Sequence, residues 1–60
     1  MKKYQVILKY ENYTRSEQQD MFYFCNETFC TTWEYNLSRG NIIFHFEYEN
    51  DATLFKLTWL

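Results

Sequence analysis

One glycine, no proline, two cysteines and a single histidine occur in this 60-residue chain. With one glycine there is no glycine-rich loop to cradle a phosphate. Two cysteines, without a charged-then-apolar N-terminal segment ending in a small-residue cleavage site, do not describe a disulfide-stapled secreted domain, so a reducing cytoplasm is expected. The longest apolar runs, such as Met21 to Cys25, are only a few residues, far below the ~18 a membrane span requires. No membrane partner is expected. The triplets Asn12-Tyr13-Thr14 and Asn26-Glu27-Thr28 have the glycosylation pattern, which has no consequence without a secretory signal.

Charge of one sign is also scarce. Six Lys and Arg stand against eight Asp and Glu, a net charge of −2, so no general attraction to phosphate backbones exists, although Lys2, Lys3 and Lys9 make the first strand locally basic. Aromatics, by contrast, make up 23% and hydrophobic residues 47% of the chain, which excludes a disordered chain poor in rings and rich in net charge. The length fits one domain, residues 1–60. A chain this short buries only about 60% of the surface it would expose unfolded, so nearly every large side chain is needed in the core.

Tyr4 to Tyr10 alternates, with Tyr4, Val6, Leu8 and Tyr10 on one side and Gln5, Ile7 and Lys9 on the other, the pattern of a half-buried strand. Ser16 and Gln19 have capping-box spacing, with Glu17 in the first turn, and predict a helix from there to Phe29 or Cys30. Gln18, Met21, Phe22, Cys25, Thr28 and Phe29 share one face of it. Thr31 to Leu37 alternates again, with Trp33, Tyr35 and Leu37 on one side. The only glycine sits in Ser38-Arg39-Gly40-Asn41, where a hairpin needs positive φ. In Ile42 to Tyr48, residues Ile42, Phe44, Phe46 and Tyr48 share a face, making this the most apolar strand and the centre of the sheet. Asp51 to Leu60 reads either as a strand or as a helix; Asn50 or Asp51 as N-cap favours the helix.

The expected fold is therefore α+β: a two-layer sandwich, β-α-β-β-α, with a three-stranded antiparallel sheet of order 1-3-2 covered by helices on one face. It is similar to a ferredoxin-like fold lacking its last strand. The run Asp51-Ala52-Thr53-Leu54-Phe55-Lys56-Leu57-Thr58-Trp59 resembles the ends of small uncharacterised accessory proteins of marine tailed bacteriophages, cyanophages among them, as does the layout ahead of it. Those proteins commonly carry a glycine after the terminal aromatic, where this chain has Leu60. The resemblance implies a phage accessory protein in an infected bacterial cytoplasm and brings no catalytic residue with it.

Chemistry is sparse. A nucleophilic cysteine needs a base, and the only histidine, His45, falls on the opposite sheet face from Cys25. Two cysteines five apart and one distant histidine lack the paired spacing of a zinc site. Glu34 and Glu47, facing each other across the hairpin and flanking His45, suggest acid–base work only superficially, since little chain is left to wall a pocket. The chain is expected not to be an enzyme and to need no cofactor or metal.

Binding is the remaining class. Apolar groups exceed what one face per element can bury: Leu54, Leu57 and Leu60 lie off the Ala52, Phe55 and Trp59 stripe, and Tyr13, Tyr23 and Phe24 lie off the first helix's core face. These six are the candidate partner-binding residues, for a host or phage protein or for a second copy. A smaller sheet-face patch comprises Ile7, Ile43 and His45 with Glu34 and Glu47, and the two edge strands have unpaired backbone. The alternative is a single-stranded nucleic-acid binder using the sheet aromatics and the N-terminal lysines, disfavoured because the rings fall on the helix-covered face.

Overall fold

A computed structural model describes residues 2–60 of the chain. The order is β1 (Tyr4–Lys9), a 3-10 turn (Tyr10–Asn12), α1 (Arg15–Phe29), β2 (Trp33–Ser38), β3 (Asn41–Phe46) and α2 (Glu49–Trp59). The sheet runs β1-β3-β2 with both pairings antiparallel, as the sequence predicts. The register aligns Tyr4, Phe46 and Trp33 in one row, then Val6, Phe44 and Tyr35, then Leu8, Ile42 and Leu37. These residues share the helix-facing side of the sheet.

The elements start and stop for local reasons. Two overlapping capping-box patterns precede α1, and the one used is the earlier. The Thr14 N–H donates to Glu17 Oε1 at 2.8 Å, and the Glu17 N–H donates to Thr14 Oγ1 at 3.1 Å. A carboxylate at the third helical position closes the box and meets the positive end of the helix dipole, which Gln19 would not do. The helix thus begins at Arg15 and takes in Ser16, the residue the sequence favours as cap. At its other end, Thr32 donates twice to the Phe29 carbonyl, through its N–H at 3.1 Å and its hydroxyl at 2.8 Å. Between β2 and β3, Arg39 and Gly40 have φ of 52° and 78°, the paired positive values of a two-residue hairpin turn that suits the sheet's twist.

The closing segment is helical, starting at Glu49 after Tyr48, which has no capping side-chain hydrogen bond. Asp51 is not the cap: it lies inside the helix, and its carboxylate is the second, longer acceptor at 3.3 Å of the hydroxyl proton that Thr32 shares with the Phe29 carbonyl. Asn50 is inside the helix as well. Tyr48 leaves the β3 face and stands exposed.

The core consists of Val6, Leu8, Met21, Cys25, Phe29, Ile42, Phe44, Phe46, Ala52 and Phe55. Phe44 is its hub, with ring centroids 4.5 Å from Phe55, 5.8 Å from Phe22 and 6.1 Å from Trp33. Phe29 meets Phe46 edge-on at 5.2 Å. Such ring pairs add about 0.5–1.5 kcal/mol each beyond the area they bury. Of the predicted α1 face, Met21, Cys25 and Phe29 are buried, Gln18 and Phe22 half-buried, and Thr28 exposed.

Candidate functional surfaces

The two leucines of α2 and Leu60, its C-cap, are exposed. Leu54, Leu57 and Leu60 have 43%, 79% and 71% of their surface accessible. They recur every three residues and therefore occupy one outward stripe of the helix, opposite buried Ala52 and Phe55. Glu47 precedes the helix, and Glu49 and Asp51 flank the leucine face in its first turn, so the helix is acidic at its start. The hydroxyl of Tyr48, in the same acidic stretch, is held above its ordinary pKa by the neighbouring Glu47 carboxylate.

Tyr13 and Phe24 are not part of that free surface. Both are half-buried against the core. The Tyr13 hydroxyl donates to the Trp59 carbonyl at 3.4 Å, and the Phe24 ring meets Phe29 at 5.8 Å and Trp59 at 6.1 Å, both edge-on. They fill the seam where the start and flank of α1 meet Trp59 at the end of α2. The Trp59 indole N–H is buried there without an acceptor. Tyr23 stands exposed on the far side of α1.

On the open sheet face, Ile7 is exposed and pairs with half-buried Ile43. The acidic pair is not arranged as the sequence suggests. Glu34 lies opposite His45 in the register, whereas Glu47 lies beyond the end of β3, its N–H donating to the Thr32 carbonyl at 3.0 Å. Glu34 engages Lys2 at 3.8 Å, and His45 Nε2 is 2.6 Å from Asn36 Oδ1. Glu34 and His45 thus engage separate partners, and Glu47 stands outside the strand that carries His45. Cys25 is buried in the core and its thiol is pushed up to about 12 by that burial, while Cys30 is exposed. Among the described residues no cavity opens and no cluster of His, Cys, Asp and Glu converges as a metal site. No described helix is long and apolar enough to cross a membrane.

A further apolar surface lies where the sequence reading placed core. Tyr35 and Leu37 point to the helix side of the sheet yet are 47% and 57% exposed. Helix α2 lies over β1 and β3, and Phe22 of α1, its ring 4.5 Å from that of Tyr35, reaches toward β2. With α2 over β1 and β3, β2 is covered on its helix side mainly by Phe22, and the Tyr35 and Leu37 side chains beyond it stay open. The sheet aromatics invoked for base stacking divide accordingly: Phe44 and Phe46 are fully buried and Tyr35 is half open.

Comparison with known proteins finds no matching family model, no curated protein and no solved structure similar to this chain.

Proposed function

We propose that the chain is a non-enzymatic protein-binding module that presents α2 to an apolar groove on a partner protein, and that it acts as a phage accessory protein on a host or phage target. The observation that carries the binding reading is the outward Leu54, Leu57 and Leu60 stripe, the spacing by which an amphipathic helix seats itself in a groove. The acidic start of the helix favours a groove with a basic end. The phage context is supported only by the resemblance, which lies mainly in residues 51–59.

The test is capture of partners from bacterial lysate by the tagged protein, with Leu57→Asp and Leu54→Asp as variants. Because both side chains are exposed in the free protein, the variants should unfold within about 0.5 kcal/mol of the parent. Loss of a buried apolar anchor costs about 2 kcal/mol or more at an interface, roughly a 30-fold drop in affinity. Equal capture by parent and both variants would reject the stripe as the binding surface. Salt-sensitive binding to single-stranded DNA or RNA, lost on changing Lys2, Lys3 and Lys9, would replace the reading with a nucleic-acid one.

A further inference from the structure

The two edges of the sheet are built differently. The antiparallel ladder alternates between residues that bond inward and residues whose N–H and C=O point out of the sheet. Its phase is fixed at both ends. The Tyr10 N–H donates to the Gly40 carbonyl at 2.8 Å, and the Glu47 N–H to the Thr32 carbonyl at 3.0 Å. Counting along the register from these bonds, Trp33, Tyr35 and Leu37 direct their backbone groups away from β3, and so do Gln5, Ile7 and Lys9 on the other side. The β1 edge carries Lys3 and Lys9, the kind of charge that keeps an edge from pairing with other chains. The β2 edge, Trp-Glu-Tyr-Asn-Leu-Ser, has no lysine, no proline and one charge, Glu34, which is already engaged by Lys2. The same three residues with outward backbone carry the half-open apolar side chains Trp33, Tyr35 and Leu37.

We propose that β2 is a self-association edge, on which a second copy of this chain adds its own β2 antiparallel about a two-fold axis normal to the sheet at Tyr35. In that register Tyr35 meets the partner's Tyr35 and Trp33 meets the partner's Leu37, so all three outward-directed residues exchange backbone bonds, about six in all. Faces are preserved, because directly opposed residues lie on the same side of a sheet. The rings and leucines of the two copies therefore cover one another on the helix side. On the open side Glu34 comes opposite the partner's Asn36, and no like charges are directly opposed. A parallel arrangement in register would instead set Glu34 beside its own copy and Arg39 beside its own. An edge of six residues is about 20 Å long, and an interface built on it alone belongs to the small, weak class. It uses none of the α2 leucines, and its fate is separate from that of the partner-binding stripe.

Sedimentation equilibrium between about 1 µM and 1 mM, with amide hydrogen exchange at both ends of that range, tests the assignment. A monomer–dimer equilibrium is expected, with the amides of Trp33, Tyr35 and Leu37 exchanging at least tenfold more slowly at high concentration while that of Ile7 is unchanged. Leu37→Lys places a guard charge on the edge, and Tyr35→Pro removes a donor that the monomer's own ladder does not use. Each should raise the dimer dissociation constant at least tenfold with the far-ultraviolet circular dichroism of the monomer preserved, whereas Leu57→Asp should leave dimerisation as it is. A monomer throughout the concentration range, concentration-independent exchange at the three amides, or a dimer dissociated by Leu57→Asp and not by Leu37→Lys would overturn the proposal.

Discussion

Phe44→Ala should remove most or all of the folded population. The ring is fully buried and packs on Phe55, Phe22, Trp33, Tyr35 and Phe46 within 6.5 Å between centroids. Truncating a buried Phe to Ala costs about 3–5 kcal/mol. A domain of this size has a total stability of roughly 3–9 kcal/mol, at 0.05–0.15 kcal/mol per residue. Loss and reserve are therefore comparable, and a larger domain would survive the same change. Relaxation cannot recover much, because the ring's neighbours come from both helices and two strands, and closing the gap means moving all of them. Urea titration followed by circular dichroism should show a midpoint near zero denaturant, against a shift within about 0.5 kcal/mol for exposed Tyr23→Ala. A Phe44→Ala protein less than 2 kcal/mol below the parent would mean that the rings do not act as one packed core.

The two thiols should differ in alkylation rate by about a thousandfold or more at neutral pH. Cys30 is exposed and open to the reagent in the folded protein. Cys25 has no accessible surface and reacts only through molecules that open, whose fraction is about one in a thousand at 4 kcal/mol of stability. Mass spectrometry after timed iodoacetamide labelling reads both rates, and comparable rates would show that α1 does not hold Cys25 inside. The same thiol sets an alkaline limit. Its pKa is raised from 9.0 to about 12 by burial, so the folded protein holds the proton more tightly than the unfolded chain. The resulting stability is fully present below pH 9 and declines from there toward pH 12, as the unfolded chain ionises first. Cys25→Ala should flatten that decline, at the cost of the smaller side chain in the core.

The fold was legible because its signals are local and agree with one another: period-two runs for β1 and β3, a hairpin around the only glycine, and a stripe of Met21, Cys25 and Phe29 at helical spacing. The boundaries were less so. Thr14-Glu17 and Ser16-Gln19 satisfy the same cap pattern, and only the carboxylate's preference for the helix start separates them. Asp51 has the chemistry of a cap, yet it lies inside the helix with its carboxylate toward Thr32, 19 residues earlier in the chain, and such a long-range contact is invisible to a local pattern. The candidate surface was half legible. Period and polarity place Leu54, Leu57 and Leu60 outside, and the structure agrees. Tyr13 and Phe24 could not be placed, because whether a ring on a helix flank is covered depends on where the second helix lies. Tyr35 and Leu37 repeat the lesson in reverse, since their alternation is that of core residues and only the placement of α2 over β1 and β3 leaves them uncovered.

The strand order has a kinetic consequence. Strands β2 and β3 are joined by the two-residue Arg39–Gly40 turn, while β1 reaches β3 only across most of the chain, Tyr4 pairing with Phe46. The hairpin closes at little entropic cost, whereas β1 must wait for a long loop to close before any of its contacts reward it. The central strand is thus assembled from its late-synthesised side first, and the chain's opening residues dock last onto a template that is already half built. Gly40→Val should accordingly slow folding, and Leu8→Ala should chiefly hasten unfolding, a division that chevron plots of the two variants would read directly. On a ribosome, Val6 and Leu8 stay without their sheet partner until residues 41–46 have emerged, so the interval between making β1 and making β3 is the period in which this small protein is most open to a foreign strand.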